Sequence, residues 1–234
     1  KRKVSDRAAT SGVGMNNFAP DNVFESLIPW FNFEENIPQP TQDADLVKHL
    51  PFVPGLKELL MLRQVHALEH ATVWLLSQSG RSPYPRFSSQ QTDNESLGGL
   101  STERGFYIYG QVNKIELQRA VLAALQRLTN GEWNLALHPR CGTNVSVGLL
   151  LGLGLVMGMH LLLPRSPIEQ MLGLGVAATA AANLTPELGM LAQRHVTTAI
   201  PFNLEIVNIA DVRDETGRTA HFVQVRWREL VISD

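Results

Sequence analysis

The sequence lacks the features of several large protein classes. Its 234 residues include one cysteine, Cys141, so the chain cannot form an internal disulfide. The formal net charge is −2, and no basic stripe or RNA-reading aromatic motif occurs, so we expect no nucleic-acid partner. A glycine-rich phosphate loop and a serine nucleophile elbow are also missing. Any chemistry must therefore come from another kind of motif.

Charge itself is scarce in one part of the chain. Charged residues are almost absent from 144–163 and sparse from 166–184. At about 1.5 Å per residue, the apolar run over 145–163 matches the hydrocarbon core of a bilayer. Glycines in this run have the four-residue spacing that favours close helix packing in lipid: Gly148, Gly152, Gly154 and Gly158. We predict a transmembrane helical hairpin, with a buried hairpin in a soluble helical core as the alternative.

The rest of the sequence predicts an α+β membrane protein, with a helical core around the hairpin. Four segments are expected: a polar extended arm over 1–53, a helix and strand–helix region over 54–144, the transmembrane hairpin with an amphipathic helix over 145–200, and a C-terminal β-hairpin over 201–234. The arm is rich in Asn, Pro, Asp and Gln, whereas the last segment alternates apolar and polar residues.

Local patterns predict the individual elements within these segments. Pro54 suits a first helical turn and Gly80 suits a helix end, so a largely buried helix is expected between them. Asn113 and Glu116 have the spacing of a capping box, which predicts the start of a second helix. The other expected elements are a loop over 80–98, a turn over 101–105, strands over 105–110, 133–137, 203–213 and 219–228, and an amphipathic stretch from Pro186 to Val196.

The first candidate site is a histidine pair in the predicted buried helix. His66 and His70 are four residues apart, so their side chains project from one helix face and could close on one metal ion. Glu69 completes the order His-x-x-Glu-His, in which a carboxylate can take a proton from a metal-activated water. The alternative is a pair of histidines that are hydrogen-bonded within a core.

The second candidate site lies in the loop before the apolar run. His138 and Cys141 are three residues apart, and both residue types are common zinc ligands. If both bind the metal with the helix pair, four positions are filled and the site is structural. If only one binds, a position stays open for water and substrate. The alternatives are a buried apolar role for Cys141 and a turn role for His138.

These two motifs, in this order, resemble those of the YqhQ-type family of bacterial membrane proteins. The resemblance rests on His-Ala-Leu-Glu-His at 66–70 and His-Pro-Arg-Cys-Gly-Thr at 138–143, and it covers roughly residues 54–190. It implies a metal-dependent membrane enzyme, in a branch found in cyanobacteria and related photosynthetic lineages. Ala67 and Leu68 depart from the Gly and Ala that are usual in that family. The residues carried over are His66, Glu69, His70, His138, Arg140 and Cys141.

Two further polar residues are weaker candidates. His160 lies inside the first membrane run, where ionisable groups are costly and often functional. It could ligate the metal of a tetrapyrrole pigment or form an interhelical hydrogen bond with Thr179 or Asn183. Arg140 could pair with Glu69, with Glu132 or with a lipid phosphate.

Two functions follow as hypotheses. In the first, the protein is a membrane-anchored hydrolase that binds zinc or another transition metal through His66, His70 and Cys141, with His138 as a fourth or alternate ligand and Glu69 as general base. In the second, it is a non-catalytic subunit or assembly factor of a larger membrane complex, such as a photosynthetic one. The polar arm and the C-terminal hairpin, which resemble docking elements, favour the second hypothesis.

The predicted location is a bacterial inner membrane or a thylakoid, with more than one span and with membrane proteins as partners. Arg140 precedes the hairpin and Arg194 follows it, whereas Arg165 lies at its turn. The positive-inside rule then places both termini in the cytoplasm or stroma. A reduced Cys141 agrees with this placement.

Overall fold

The computed structural model describes residues 38–79, 94–214 and 216–228. Within them the chain has five α-helices and one four-stranded sheet, as the α+β class predicts. The elements are α1 (Gln42–His49), α2 (Leu56–Ser79), β1 (Gly98–Thr102), β2 (Gly105–Tyr109), α3 (Lys114–Thr129), α4 (Gly142–Leu162), α5 (Pro167–Ala192), β3 (Leu204–Arg213) and β4 (Thr219–Trp227). A 3₁₀ turn (Trp133–Ala136) precedes α4, and a π-helical turn (Gln193–Thr197) follows α5.

Helix α2 lies at the centre of the core. It contacts α3, β1, β2 and the 3₁₀ turn, and its apolar side chains cover most of its circumference. A helix of this kind must bury its polar side chains too, and each then requires a partner. Gln64, for example, is almost fully buried and donates hydrogen bonds to Asp43 at 2.6 Å and Asn203 at 3.3 Å. Gln64 is thus fixed by contacts with distant segments, whereas the buried hydroxyls of Thr72 and Ser77 bond to carbonyls of α2 itself.

The sheet is antiparallel throughout and has the strand order β1-β2-β4-β3. Strand β2 pairs with β4, so the strand–helix region and the C-terminal hairpin form one sheet. Phe106 lies opposite Val223 in this pair, and both side chains are fully buried. Gly105 has a φ of +147°, and a side chain there would overlap the Val223 carbonyl, so only glycine fits. The outer strands β1 and β3 form the two edges of the sheet.

Helices α4 and α5 pack against each other as an antiparallel pair. Gly148 of α4 lies against Thr185 of α5, and Gly189 of α5 lies against Asn144 near the start of α4. An added Cβ at Gly152, Gly154 or Gly158 would meet nothing within 4 Å. Of the four glycines at the predicted spacing, Gly148 is thus the one at which a close approach of the two helices is shown.

One helix among the described residues is long and apolar enough to cross a membrane. It is α4, with 21 residues, a mean hydropathy of 2.1 and no buried residue in its apolar window. Helix α5 does not reach the same hydropathy, because polar residues such as Gln170 and Asn183 interrupt it. Association with a membrane is thus supported for α4, whereas a two-span topology is not shown.

Several expected elements differ from the structure. Residues 133–137 were expected as a strand but form the 3₁₀ turn, since so short an apolar stretch has no alternation long enough to specify a strand. The loop and turn expected over 80–105 contain β1, whose Gly-Gly start is a poor strand signal. The expected extended arm contains α1, and its residues 1–37 lie outside the described residues. Helix α5 continues through Pro186, where a break was expected.

The packing of α4 against α5 predicts unequal effects for two glycines of the same helix. A Cβ at Gly189 would overlap Asn144, whereas a Cβ at Gly175 would meet open space. We expect Gly189→Ala to lower the free energy of unfolding by about 1–3 kcal/mol, as overpacking does. Gly175→Ala should leave it unchanged or raise it by up to about 1 kcal/mol, because alanine is the better helix former. Thermal unfolding of both variants in the same detergent measures the difference, and equal stabilities would contradict the described packing.

Candidate metal centre

Helix α2 holds His66 and His70 one turn apart, with ring centroids separated by 4.4 Å. Each ring is oriented by a backbone carbonyl of another segment: His66 Nδ1 lies 3.0 Å from the Thr197 oxygen, and His70 Nδ1 lies 2.7 Å from the Ala136 oxygen. A carbonyl only accepts hydrogen bonds, so Nδ1 carries the proton in both rings. The Nε2 lone pair of each neutral ring is then available to bind a metal, an arrangement common among metal-binding histidines.

Cys141 brings a third donor atom to the same place. It is the N-cap residue of α4, where its Sγ accepts a hydrogen bond from the Thr143 N–H at 3.3 Å. The same Sγ lies 3.3 Å from Nε2 of His66. Burial acts to raise the pKa of the Cys141 thiol, but the hydrogen bond and charge of His70 and the hydrogen bonds from Thr143 outweigh it, so the pKa lies below its ordinary value. Metal binding requires this thiolate together with neutral rings, so an ion would displace the proton that the thiol and the rings share.

The three donor atoms of His66, His70 and Cys141 lie within 4.8 Å of one another and could hold a metal ion. Two imidazole nitrogens and one thiolate form a typical zinc ligand set, with bonds of about 2.0–2.3 Å. The widest separation exceeds the roughly 4 Å of a closed tetrahedral set of such bonds, so the side chains would close slightly around an ion. Both sequence motifs thus contribute donor atoms to one cluster.

His138 lies beside this cluster but is not one of its three converging donors. Its ring is 5.6 Å from the His70 ring and packs against Trp74 at 4.7 Å. Its Nδ1 accepts a hydrogen bond from the Arg140 N–H at 3.3 Å, so the neutral ring carries its proton on Nε2. In this state neither nitrogen of His138 presents a free lone pair to the cluster.

Glu69 is buried next to the histidines, with 7% of its surface exposed. Its Oε2 accepts a hydrogen bond from the Ser101 hydroxyl at 2.7 Å. Burial raises the pKa of Glu69 above its usual value, although the Ser101 hydrogen bond and the His66 charge act in the opposite direction. Gly99 of β1 lies so close to the carboxylate that any side chain there would overlap it. Strand β1 therefore fixes the position of Glu69.

Gln193, at the start of the π-helical turn, connects the loop of Cys141 to the end of α5. It is fully buried and accepts a hydrogen bond from the His138 N–H at 2.8 Å. Its amide nitrogen donates to the His138 carbonyl at 3.1 Å and to Asn144 at 2.7 Å. Gln193, Ser101 and Gly99 were not predicted as site residues, because each contacts the site from a segment far away in the chain. The sequence predicts a turn over 101–105, which includes Ser101, but gives that turn no role in the site.

A cavity of about 610 Å³ opens over the cluster. Its base contains the three donors and Glu69, and strand β1 forms one wall. Aliphatic side chains from α2, β1 and the π-helical turn line the rest, together with the guanidinium groups of Arg63 and Arg140. The arrangement combines a metal-type cluster, a buried carboxyl group and space for another molecule.

The two weaker candidates have other contacts. His160 Nδ1 lies 2.8 Å from the Gln170 side-chain oxygen, so its interhelical partner is Gln170 rather than Thr179 or Asn183. Binding of a pigment by His160 stays a prediction. The Arg140 guanidinium donates to the backbone carbonyls of Asn94 at 3.0 Å and Glu95 at 3.4 Å. These bonds hold the loop of Cys141 against the segment that leads into β1.

Comparisons with known proteins give two matches. A family model described as a domain of unknown function (DUF6391) matches residues 61–209, which include every candidate site residue. An uncharacterized protein from Picosynechococcus sp. (strain PCC 7002) is 50% identical over 200 residues, which are 86% of this chain and 94% of that protein. This relative is cyanobacterial, in agreement with the expected lineage. No solved structure matches the chain.

The burial of Glu69 predicts a pH-dependent stability in the metal-free protein. Folding raises the pKa of the Glu69 carboxyl group. At pH values below the pKa of the unfolded state, this group does not reduce the stability of the fold. As pH rises from there towards the higher pKa of the folded state, the group increasingly lowers the free energy of unfolding. We expect Glu69→Gln to raise the free energy of unfolding at neutral pH by about 1 kcal/mol. The gain should disappear as pH falls below about 4.5, the usual range of a glutamate.

Denaturant unfolding at several pH values in the presence of a chelator measures this effect. Glu58→Gln, at an exposed site in the first turn of α2, is the control and should be neutral or slightly destabilising, because it removes a negative charge near the helix N-terminus. A Glu69→Gln variant that is less stable than the wild type at neutral pH would show that the buried carboxylate is stabilising.

The contact between β1 and Glu69 predicts different effects for adjacent glycines. Gly99→Ala should displace the Glu69 carboxylate from Ser101 and lower the free energy of unfolding by about 1–3 kcal/mol. In Gly98→Ala the new Cβ lies 3.9 Å from Tyr109, an ordinary contact, so we expect little change. Thermal unfolding of the two variants tests this expectation, which fails if they lose equal stability.

Proposed function

We propose that this chain, which is a member of the DUF6391 family, is a membrane-anchored, metal-dependent hydrolase. One observation carries the proposal: the donor atoms of His66, His70 and Cys141 lie within 4.8 Å of one another, with the buried Glu69 adjacent in sequence to His70. Structural metal sites do not require a buried carboxyl group that is not a ligand, whereas hydrolytic sites use one as general base.

Zinc is the proposed metal, because a mixed set of two histidines and one cysteine suits it. Bound at this site, the ion would supply Lewis acidity to a water molecule and to a substrate carbonyl group. With His138 outside the converging set, three ligands come from the protein and one position is open. An open fourth position is the feature that distinguishes catalytic zinc sites from structural ones.

The protein side chains have separate roles in this proposal. Glu69 accepts a proton from the attacking water at its carboxylate and returns it to the leaving group. Ser101 holds that carboxylate through its 2.7 Å hydrogen bond. Gln193, through its contacts with the His138 backbone, positions the loop that carries Cys141. The raised pKa of Glu69 suits it to hold a proton between the two transfers.

The likeness to the YqhQ-type family supports the same function. Its two motifs, at 66–70 and 138–143, are also the two segments that provide the donors of the cluster. Sequences that keep both motifs would then share one metal-dependent reaction. We propose a distant relationship between this chain and that family on these grounds.

For the location, we propose that α4 and α5 cross a bacterial inner membrane or a thylakoid as a two-span hairpin. Their antiparallel packing would place both ends of the pair on one side of the membrane. Large apolar side chains are exposed along both helices: Val145, Leu149, Leu153, Met157, Leu161, Ile168, Met171, Leu172 and Val176. Burial of such side chains in lipid is the simplest explanation for their exposure in the isolated chain.

Metal analysis and hydrolysis assays of purified full-length protein test the proposal together. We expect about one zinc ion per chain, with loss of zinc in His66→Ala, His70→Ala and Cys141→Ser. His138→Ala and the control His160→Ala should retain it. In Glu69→Gln we expect zinc to be retained while hydrolysis of p-nitrophenyl acetate falls by roughly 10²–10⁴-fold, the usual contribution of a general base.

Two outcomes would contradict the hydrolase. Absence of a transition metal from the wild type would remove the site itself. Retained zinc with no effect of Glu69→Gln on turnover would instead support a structural metal in a subunit or assembly factor. The three ligand variants also need circular dichroism spectra like that of the wild type, so that loss of zinc is not a consequence of unfolding.

A further inference from the structure

Strand β1 forms one wall of the cavity, which four consecutive residues of the strand border, at positions 98–101. Strand β1 is also an edge of the sheet, hydrogen-bonded to β2 on one side and to no other strand among the described residues. Alternate N–H and C=O groups of an edge strand point away from its partner, so they can pair with another extended chain.

The position of this edge relative to the cluster is fixed by short contacts. Ser101 of β1 donates its 2.7 Å hydrogen bond to Glu69, and Gly99 lies against the same carboxylate. A chain that paired with β1 would therefore enter the cavity that Glu69 and the three donors also line. Gly98 and Gly99 have no side chains that could block its approach.

The rim of the cavity offers places for apolar side chains. Leu59 of α2 and Val196 of the π-helical turn line the cavity, and their surfaces are 55% and 65% exposed. Isolated exposed aliphatic residues are ordinary, but two at one opening form an apolar surface next to the site. An extended chain bound at an edge presents alternate side chains to one face, where such a surface can bind them.

We propose that the substrate is a polypeptide, bound as an extended segment that adds to the β1 edge and places an apolar side chain against Leu59 and Val196. The inference rests on the proposed hydrolase. Water adds across the scissile amide: its hydroxyl joins the carbonyl carbon, the carbon–nitrogen bond breaks, and Glu69 transfers the remaining proton to the departing nitrogen. No oxidant, nucleotide or other co-reactant is required.

Hydrogen exchange tests the binding mode directly. The zinc-loaded Glu69→Gln protein, which should bind but not cleave, is incubated with β-casein, an unfolded polypeptide that offers many different segments. We expect slower amide exchange in β1 and unchanged exchange in β3, because β3 is the other edge of the same sheet and lies outside the cavity. Protection of neither edge, or equal protection of both, would overturn the proposal.

Cleavage assays with wild-type protein provide the second readout. We expect peptide products from β-casein by mass spectrometry, and a KM raised roughly tenfold by Leu59→Glu, as expected for loss of an apolar contact. Leu122→Glu, at a similarly exposed leucine of α3, is the matched control and should leave KM unchanged. Equal KM values for the two variants would contradict a role for the rim.

The same samples separate this inference from the proposed function. Zinc content and Glu69-dependent hydrolysis of p-nitrophenyl acetate report on the metal centre alone. If both are present but β-casein is neither bound nor cleaved, the polypeptide substrate is wrong and the hydrolase stands. Activity that rises with acyl-chain length from p-nitrophenyl butyrate to palmitate, without protection of β1, would assign the rim to a lipid instead.

Discussion

The candidate site depends on two hydrogen bonds between histidine rings and backbone carbonyls. One joins His66 to Thr197, the other joins His70 to Ala136, and each connects α2 with a segment far away in the chain. Without them the imidazoles could rotate, and either nitrogen of each ring could carry the proton. With them both Nε2 atoms are left for a metal before any ion arrives. Orientation of this kind reduces the ordering that metal binding must otherwise impose.

The same bonds explain why two irregular turns flank the site. The 3₁₀ turn ends at Ala136, whose carbonyl accepts from His70, and the π-helical turn ends at Thr197, whose carbonyl accepts from His66. Regular α-helices bond such carbonyls internally, so they have none to offer except at their ends. Local departures from α-helical geometry are frequent at functional sites for this reason. Gln193 then satisfies backbone groups of the neighbouring loop, whose burial requires partners.

Features that depend on contacts between residues close in the chain were predictable from the sequence, whereas those that depend on contacts between distant segments were not. His66 and His70 were predictable as a pair because their spacing on one helix is a local property. Their proximity to Cys141 could be predicted only from the presence of both motifs in one chain. Whether His138 joins the cluster depends on the conformation of its loop, which the local sequence does not determine. Gly99 and Ser101 could not be assigned, because β1 has weak strand propensity and gains its place by pairing with β2. The same limit applies to the long helices: composition predicted α4, but the glycines that pack it against α5 depend on their relative rotation.

The position of Cys141 links the cluster to the apolar helix. As N-cap of α4, its sulfur lies at the positive end of a helix of 21 residues and accepts a hydrogen bond from the first turn. The helix dipole favours negative charge there, and solvent screens that effect less when the helix is surrounded by lipid than when it is surrounded by water. A membrane would thus strengthen the preference of this residue for the thiolate. It would also hold the cavity, which includes the first turn of α4, at the level where the helix leaves the hydrocarbon. The apolar run and the metal-type motif adjoin in sequence, and this geometry gives a physical reason for their proximity.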